Sequence, residues 1–198
     1  MRIGVMLDFV LDKYPVVKPL KNGRECMIRP LVEQDEEVFG NFILKVPEEE
    51  RLFIKHRVTD KSIFHEWCTH IDYESNLPLL AFEDERVVAD VTLHQRSGGW
   101  KRHIGLASFL TLPDCHGKGL VALLAEEMVE IARHCGLTRI EVELNGEREG
   151  AMKTLREAGF VELMRLRDYV TDMHGGVHDY VLFGMSLIPP DEYISGAD

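Results

Sequence analysis

The sequence predicts an α/β chain of the α+β kind, a mixed sheet with helices packed on it, and three observations carry that prediction. Three β-rich runs follow one another from Leu77 to Leu112, a stretch of helical period starts at Gly119, and strand and helix patterns then alternate into a C-terminal hairpin. With 198 residues, 45% of them apolar and 29% charged, the chain is long enough for one domain with a substantial core, and no Pro-, Gly- or Ser-rich linker divides it. The organisation read from it is an N-terminal extension and first strand over residues 1–20, a single domain over 21–188 and a short tail over 189–198.

Each element has its own signal. Asn22-Gly23 lies between VVKPL and ECMIRPL, the signature of a tight hairpin, so the chain opens on a paired strand. After Pro30, LVEQDEEVFGNFILKV spaces Leu31, Val38, Phe42 and Val46 for a helix, with acidic residues in the first turn where the helix dipole favours them. Pro47 opens a second helix in PEEERLFIKHRV. The runs LPLLAFE (Leu77 to Glu83), RVVADVTLHQ (Arg86 to Gln95) and RHIGLASFLTL (Arg102 to Leu112) are separated by turn residues and read as an antiparallel meander. From Gly119 to Cys135, residues Leu120, Leu123, Leu124, Met128, Ile131 and Ala132 share one helical face, and Gly136 closes it. TRIEVEL (Thr138 to Leu144) alternates Ile140, Val142 and Leu144 against Arg139, Glu141 and Glu143, a strand with one buried face. A helix from Glu147 to Ala158 stops at Gly159, and FVELMRLRDYV and HDYVLFGMSL form a hairpin around His174-Gly175-Gly176. The core order is β-β-β-α-β-α-β-β.

The formal charge of −11 argues against a nucleic-acid backbone as partner and suits a cationic one. No apolar run approaches the roughly 20 residues that cross a bilayer, so no membrane partner is expected. Asp8 and Asp12 interrupt the apolar start MRIGVMLDFVLDKYP and no small-residue cleavage site follows, which points to the cytoplasm. Cys26, Cys68, Cys115 and Cys135 make no C-x-x-C pair and read as reduced thiols, so no metal is expected.

HGKGLVALL (His116 to Leu124) follows LTLPDC and forms a glycine turn between a strand and a helix. Such a turn is either a sharp corner or an anion site, because it bares backbone N–H groups where the helix dipole favours negative charge. It matches neither G-x-x-x-x-G-K-[ST] nor G-x-G-x-x-G, so a P-loop nucleotidase and a Rossmann dehydrogenase are set aside. The run FLTLPDCHGKGLVALLAEEMVEIARHCGLTRIEVEL, followed by AMKTLREAGFVE, resembles the acetyl-CoA-binding core of the GNAT superfamily of N-acetyltransferases over Ile104 to Glu162. The resemblance implies a GNAT-like fold preceded by the N-terminal hairpin and two helices, with acetyl-CoA as cosubstrate. In the family pattern R/Q-x-x-G-x-G/A, His116 takes the first position, Gly119 the glycine and Val121 the last, so the chain departs at both ends of the motif. By the same resemblance, His116, Gly117, Lys118, Gly119, Leu120 and Val121 hold the pyrophosphate, and the backbone of Leu110, Thr111 and Leu112 holds the pantetheine arm where two strands splay.

Acyl transfer to an amine needs a base to free the nitrogen lone pair, donors for the oxyanion and an acid for the departing thiolate. Many family members carry a glutamate on the strand before the motif and a tyrosine before Gly-Phe. This chain has Gly105 and Leu106 at the first place and Leu155 at the second. His103 and Glu141 are the first candidates for the base, with Glu143, His94, Tyr169 and His178 behind them. The front end YPVVKPLKNGRECMIRPLVEQDEEVF and the Tyr-free GAMKTLREAGF look more like bacterial protein-lysine acetyltransferases than antibiotic-modifying ones. The expected activity is acetyl-CoA-dependent transfer to a primary amine, a protein lysine or a small amine, by direct attack in a ternary complex. The alternative is an acyl-CoA-binding sensor without turnover. A homodimer is left open.

Overall fold

The computed structural model of the chain describes residues 11–51 and 62–188. Readings made for residues 1–10, for the second half of PEEERLFIKHRV and for the tail 189–198 lie outside them. Eight strands form one mixed sheet in the order β1-β2-β3-β4-β5-β6-β8-β7. The Asn-Gly turn joins β1 (Val16–Pro19) to β2 (Glu25–Pro30), with Gly23 in the left-handed region at φ 81°. A single 3-10 turn, Glu33–Asp35, leads into α1 (Glu36–Lys45), which buries Phe39, Gly40, Phe42 and Ile43. The short α2 (Glu48–Arg51) starts where Pro47 was expected to open a helix. A further helix, α3 (Ser62–Thr69), is not foreshadowed by the sequence, since Ile, Phe, His, Trp, Cys and Thr are all middling helix formers. It docks by aromatic contact, Trp67 on Phe39 of α1 at 6.3 Å between ring centroids, while Phe64 stands edge-on to Trp67 within α3 at 6.0 Å. Gly40 permits this, because a Cβ there would stand 2.8 Å from the Phe64 ring.

The meander is present as β3 (Asn76–Glu83), β4 (Arg86–His94) and β5 (Ile104–Thr111). Every residue of β3 from Leu77 to Glu83 is buried, and both α1 and α4 (Leu120–His134) pack on β4, so helices cover both faces at the sheet centre. The register Arg29↔Leu80↔Asp90↔Leu110 runs across four strands, and Arg29 bonds Asp35 just before α1 (Nη2 to Oδ1, 2.7 Å). These residues therefore mark the α1 face. After α4 come β6 (Arg139–Asn145), α5 (Glu149–Glu157) and the hairpin of β7 (Val161–Thr171) with β8 (Val177–Ser186). All neighbouring strands are antiparallel except β5 and β6, the pair joined through α4.

Asp90 is an unusual member of the buried sheet, 5% exposed, with Thr92 Oγ1 at 3.3 Å from its Oδ2. Burial pushes its carboxyl up to about 7. An unfolded aspartate titrates near ~3.9, so through the window between the two values the folded chain keeps a proton that the unfolded chain has released. Stability attributable to Asp90 is therefore lost as pH rises through that window and stays flat above it. Asp90→Asn should match the wild type at about pH 4 and exceed it by at least ~1 kcal/mol at about pH 8, as read from urea denaturation at the two pH values.

Candidate active site at the sheet fork

The parallel pairing of β5 with β6 is short: Ile104↔Arg139, Gly105↔Ile140, Leu106↔Glu141, and then it ends. Both strands continue, β5 to Thr111 against β4 and β6 to Asn145 against β8, so a fork opens between them. Leu112 N–H bonds Val88 O at 3.0 Å, which fixes the phase of the backbone along β5. By strand alternation, Leu110 and Leu112 turn their backbone groups to β4, whereas Thr111, Phe109 and Ala107 turn theirs to the gap. Of the three residues expected to grip a pantetheine arm, Thr111 alone faces the fork, and Phe109 joins it.

The glycine turn stands at the open end of the same fork. Pro113–Cys115 make a 3-10 turn, Gly117 and Gly119 adopt φ 78° and 90°, and Gly119 is the N-cap of α4. The first intrahelical bond is Leu123 N to Gly119 O at 3.1 Å, so the N–H groups of Leu120, Val121 and Ala122 precede it. Within the turn, His116 N–H is spent on Pro113 O at 3.2 Å and Lys118 N–H on Cys115 O at 3.4 Å. Gly117, Gly119, Leu120, Val121 and Ala122 thus form the donor set, and an anion fits it. The Lys118 ammonium points elsewhere, to buried Glu83 (3.1 Å) and the Cys115 sulfur (3.4 Å). Arg24 is likewise paired with Glu83 and Asp84, and Arg86 with Asp114. Lys21, in the β1–β2 turn, is different: its stem lies against Gly119, its N–H bonds Lys118 O at 3.1 Å, and it has no ion-pair partner among the described residues. The sequence gives no hint of this approach, which depends on the hairpin folding over the turn.

The α1 face of the fork is polar. Glu141, half-buried, shares that face with Leu106, the last paired residue of β5. Beyond it on β6, Glu143 accepts a hydrogen bond from Tyr180 Oη at 3.0 Å, and burial together with that carboxylate raises the Tyr180 pKa. The buried Asn145 Oδ1 at the end of β6 has no hydrogen-bond partner among the described residues, a lone acceptor of the kind a ligand amide would satisfy. On the other strand, Ser108 is the first residue of this face past the fork, and His94 Nε2 lies 3.1 Å from its Oγ. Tyr169 packs on Tyr180, ring centroids 5.9 Å apart. His178 bonds Asp172 at 2.9 Å, which raises the imidazole pKa and lowers the Asp172 carboxyl to about 2. His103 is exposed in the turn before β5, at the closed end of the parallel pair, with its carbonyl accepting Thr138 N–H at 3.0 Å. Glu141 stands where the fork begins, opposite Leu106, and His103 lies at the closed end of the parallel pair. Leu155 is 1% exposed and belongs to the core.

A parallel strand–helix–strand unit splays here beside a glycine-capped helix, and the comparisons say which family has this arrangement. Residues 29–160 match the model of the acetyltransferase (GNAT) family, so the chain belongs to the GNAT acetyltransferases. The chain is similar to the GNAT domain of S. lividans PAT, at 18% identity and a TM-score of 0.71, covering 88% of this chain and 97% of that one. It is also similar to a putative acetyltransferase from Salmonella typhimurium solved with its cofactor acetyl-CoA (18% identity, TM-score 0.68, 82% of this chain and 94% of that one). A third is the ribosomal-protein-S5-alanine acetyltransferase from Vibrio fischeri (14% identity, TM-score 0.71, 86% and 96%). Among the described residues, no helix is long and apolar enough to cross a membrane.

Two substitutions separate backbone from charge in this turn. In Gly119→Ala the new Cβ meets the Lys21 stem at 3.2 Å on a φ of 90°. It should cost about 1–2 kcal/mol of stability and weaken acetyl-CoA binding by about tenfold or more, read by thermal melting and a binding isotherm. Lys21→Ala should leave the melting curve in place and weaken acetyl-CoA binding at low salt, with the difference shrinking as ionic strength rises.

Proposed function

We propose that this protein moves an acetyl group from acetyl-CoA to a primary amine that carries positive charge, by direct attack in a ternary complex. The observation that carries the reading is the fork: one gap with a donor-rich helix N-terminus at its mouth and a carboxylate-lined face along its side. The donor set of Gly117, Gly119, Leu120, Val121 and Ala122 takes the pyrophosphate, with Lys21 as its cation. Gap-facing backbone groups of Phe109 and Thr111 and the orphaned Asn145 oxygen take the pantetheine arm. Bound acetyl-CoA supplies the activated acyl group; the chain supplies alignment, which by itself accounts for a large part of such an acceleration.

Glu141 and Glu143 suit an acceptor ammonium, and the overall charge of −11 draws cations from a distance. The acceptor is a protein lysine or a small polyamine. Solved structures with this fold include a spermidine N-acetyltransferase chimera at 16% identity and TM-score 0.67. The apolar Leu106 and Leu155, at places where many relatives keep their catalytic side chains, favour a second reading, an acyl-CoA sensor. A panel of spermidine, a lysine peptide and a neutral amine, assayed by release of the CoA thiol, separates the two. Turnover with the cationic amines supports transfer, and saturable acetyl-CoA binding with no turnover on any amine supports the sensor. Glu141→Gln combined with Glu143→Gln should raise the KM for the cationic acceptor about tenfold and leave the KM for acetyl-CoA within about twofold, since each lost charge contact is worth roughly 0.7 kcal/mol.

A further inference from the structure

We propose that Ser108 and His94 form the proton-removing dyad of this site, with Asn76 setting the histidine tautomer; the inference rests on the acetyl-transfer reading. His94 ends β4 and pairs directly with Leu106, so its ring shares the face of Leu106 and Glu141. Its Nδ1 is 2.7 Å from Asn76 Oδ1, an oxygen that only accepts, so Nδ1 carries the hydrogen of the neutral ring. Nε2 is then the lone-pair nitrogen, and it is directed at Ser108 Oγ at 3.1 Å. Ser108 is exposed at the lip of the fork. The order hydroxyl, imidazole, orienting group is the arrangement that activates an O–H or, through it, an incoming N–H. Asp90 on β4 and Glu141 on β6 are the carboxylates sharing this face with the pair.

The proton route follows. The acceptor arrives as a neutral amine, having released its ammonium proton to water. Its nitrogen bonds the thioester carbonyl carbon, and the surplus N–H proton passes to Ser108 Oγ as the hydroxyl proton moves to His94 Nε2. The C–S bond breaks with its electron pair on sulfur, and the imidazolium returns the proton to the thiolate, leaving amide and free thiol. Ser108 touches the amine; His94 acts through it, and Asn76 positions His94.

The test combines a spectrum with a pH profile. In 15N-labelled free protein, the His94 ring should show the Nδ1–H tautomer; the Nε2–H tautomer overturns the proposal without reference to activity. His94→Gln and Ser108→Ala should lower kcat by about a hundredfold, keep the acetyl-CoA dissociation constant, and lose the acidic limb of the pH–kcat profile. Asn76→Ala should lower kcat, and Asn76→Asp, which keeps an acceptor at Nδ1, should restore it. An active wild type whose His94→Gln and Ser108→Ala variants bind acetyl-CoA normally and keep kcat and the acidic limb overturns the dyad alone. A wild type that binds acetyl-CoA and acetylates no amine overturns the functional reading and the dyad with it.

Discussion

The early end of one parallel ladder is the constraint on which the rest of the site depends. Three paired positions hold β5 to β6, and past Leu106 and Glu141 the strands part while each stays bonded to its outer neighbour. A backbone edge opened inside a sheet must be satisfied by something, because unpaired N–H and C=O groups are costly away from water. Here the free edges are two extended strands that face each other across a gap, which suits an amide-bearing arm better than a compact ligand. The helix that links the two strands necessarily begins where β5 ends, so its donor-rich N-terminus and the slot share one mouth.

That geometry also explains why the customary catalytic positions are apolar. A Cβ on Gly105 would stand 2.7 Å from Leu137 and 2.8 Å from Leu93, so the closed end of the fork is packed too tightly for a carboxylate at that residue. Leu155 is enclosed by the core under α5. Polar groups appear instead one strand to either side, at His94 on β4 and at Glu143 with Tyr180 on β6 and β8. Reactive groups borne on paired strands are held more rigidly than groups on loops, and each here has a second partner that limits its rotation.

Much of the fold was legible because its signals are local. The Asn-Gly hairpin, the meander, the α4 stripe with its glycine cap and the C-terminal hairpin all reduce to periodicity and turn chemistry, and each is present. The glycine turn was legible as a strand-to-helix corner with bared N–H groups for the same reason. What could not be read depends on register. Whether Leu110 or Thr111 faces the slot is a matter of phase, set by a bond from Leu112 to Val88 that leaves no trace in composition. Ser108 and His94 lie 14 residues apart, and meet because the β4–β5 pairing puts them side by side. His103 attracted notice by standing at the head of the right strand, but a strand of eight residues carries its two ends roughly 25 Å apart. Helix α3 escaped because it is held by packing on α1, Trp67 on Phe39 and Phe64 over Gly40, and not by its own propensities.

The charges divide between the two substrates accordingly. Around the glycine turn Lys118, Arg24 and Arg86 are all neutralised by carboxylates, and the pair of Lys118 with buried Glu83 braces the turn to the end of β3. Under the proposed function, phosphate affinity rests on backbone donors and the dipole of α4, which are fixed in place when the helix folds and lose no side-chain entropy on binding. Lys21 adds one screenable charge from the hairpin ahead of the core. On the other side of the slot the carboxylates Glu141 and Glu143 have no lysine or arginine partner among the described residues, so on the proposed function their attraction for an acceptor is carried by charge and is sensitive to salt. On the proposed function, an acidic chain is no obstacle to a polyphosphate cofactor: the anion would meet preorganised dipoles, and the net negative field would be left to draw in the cation.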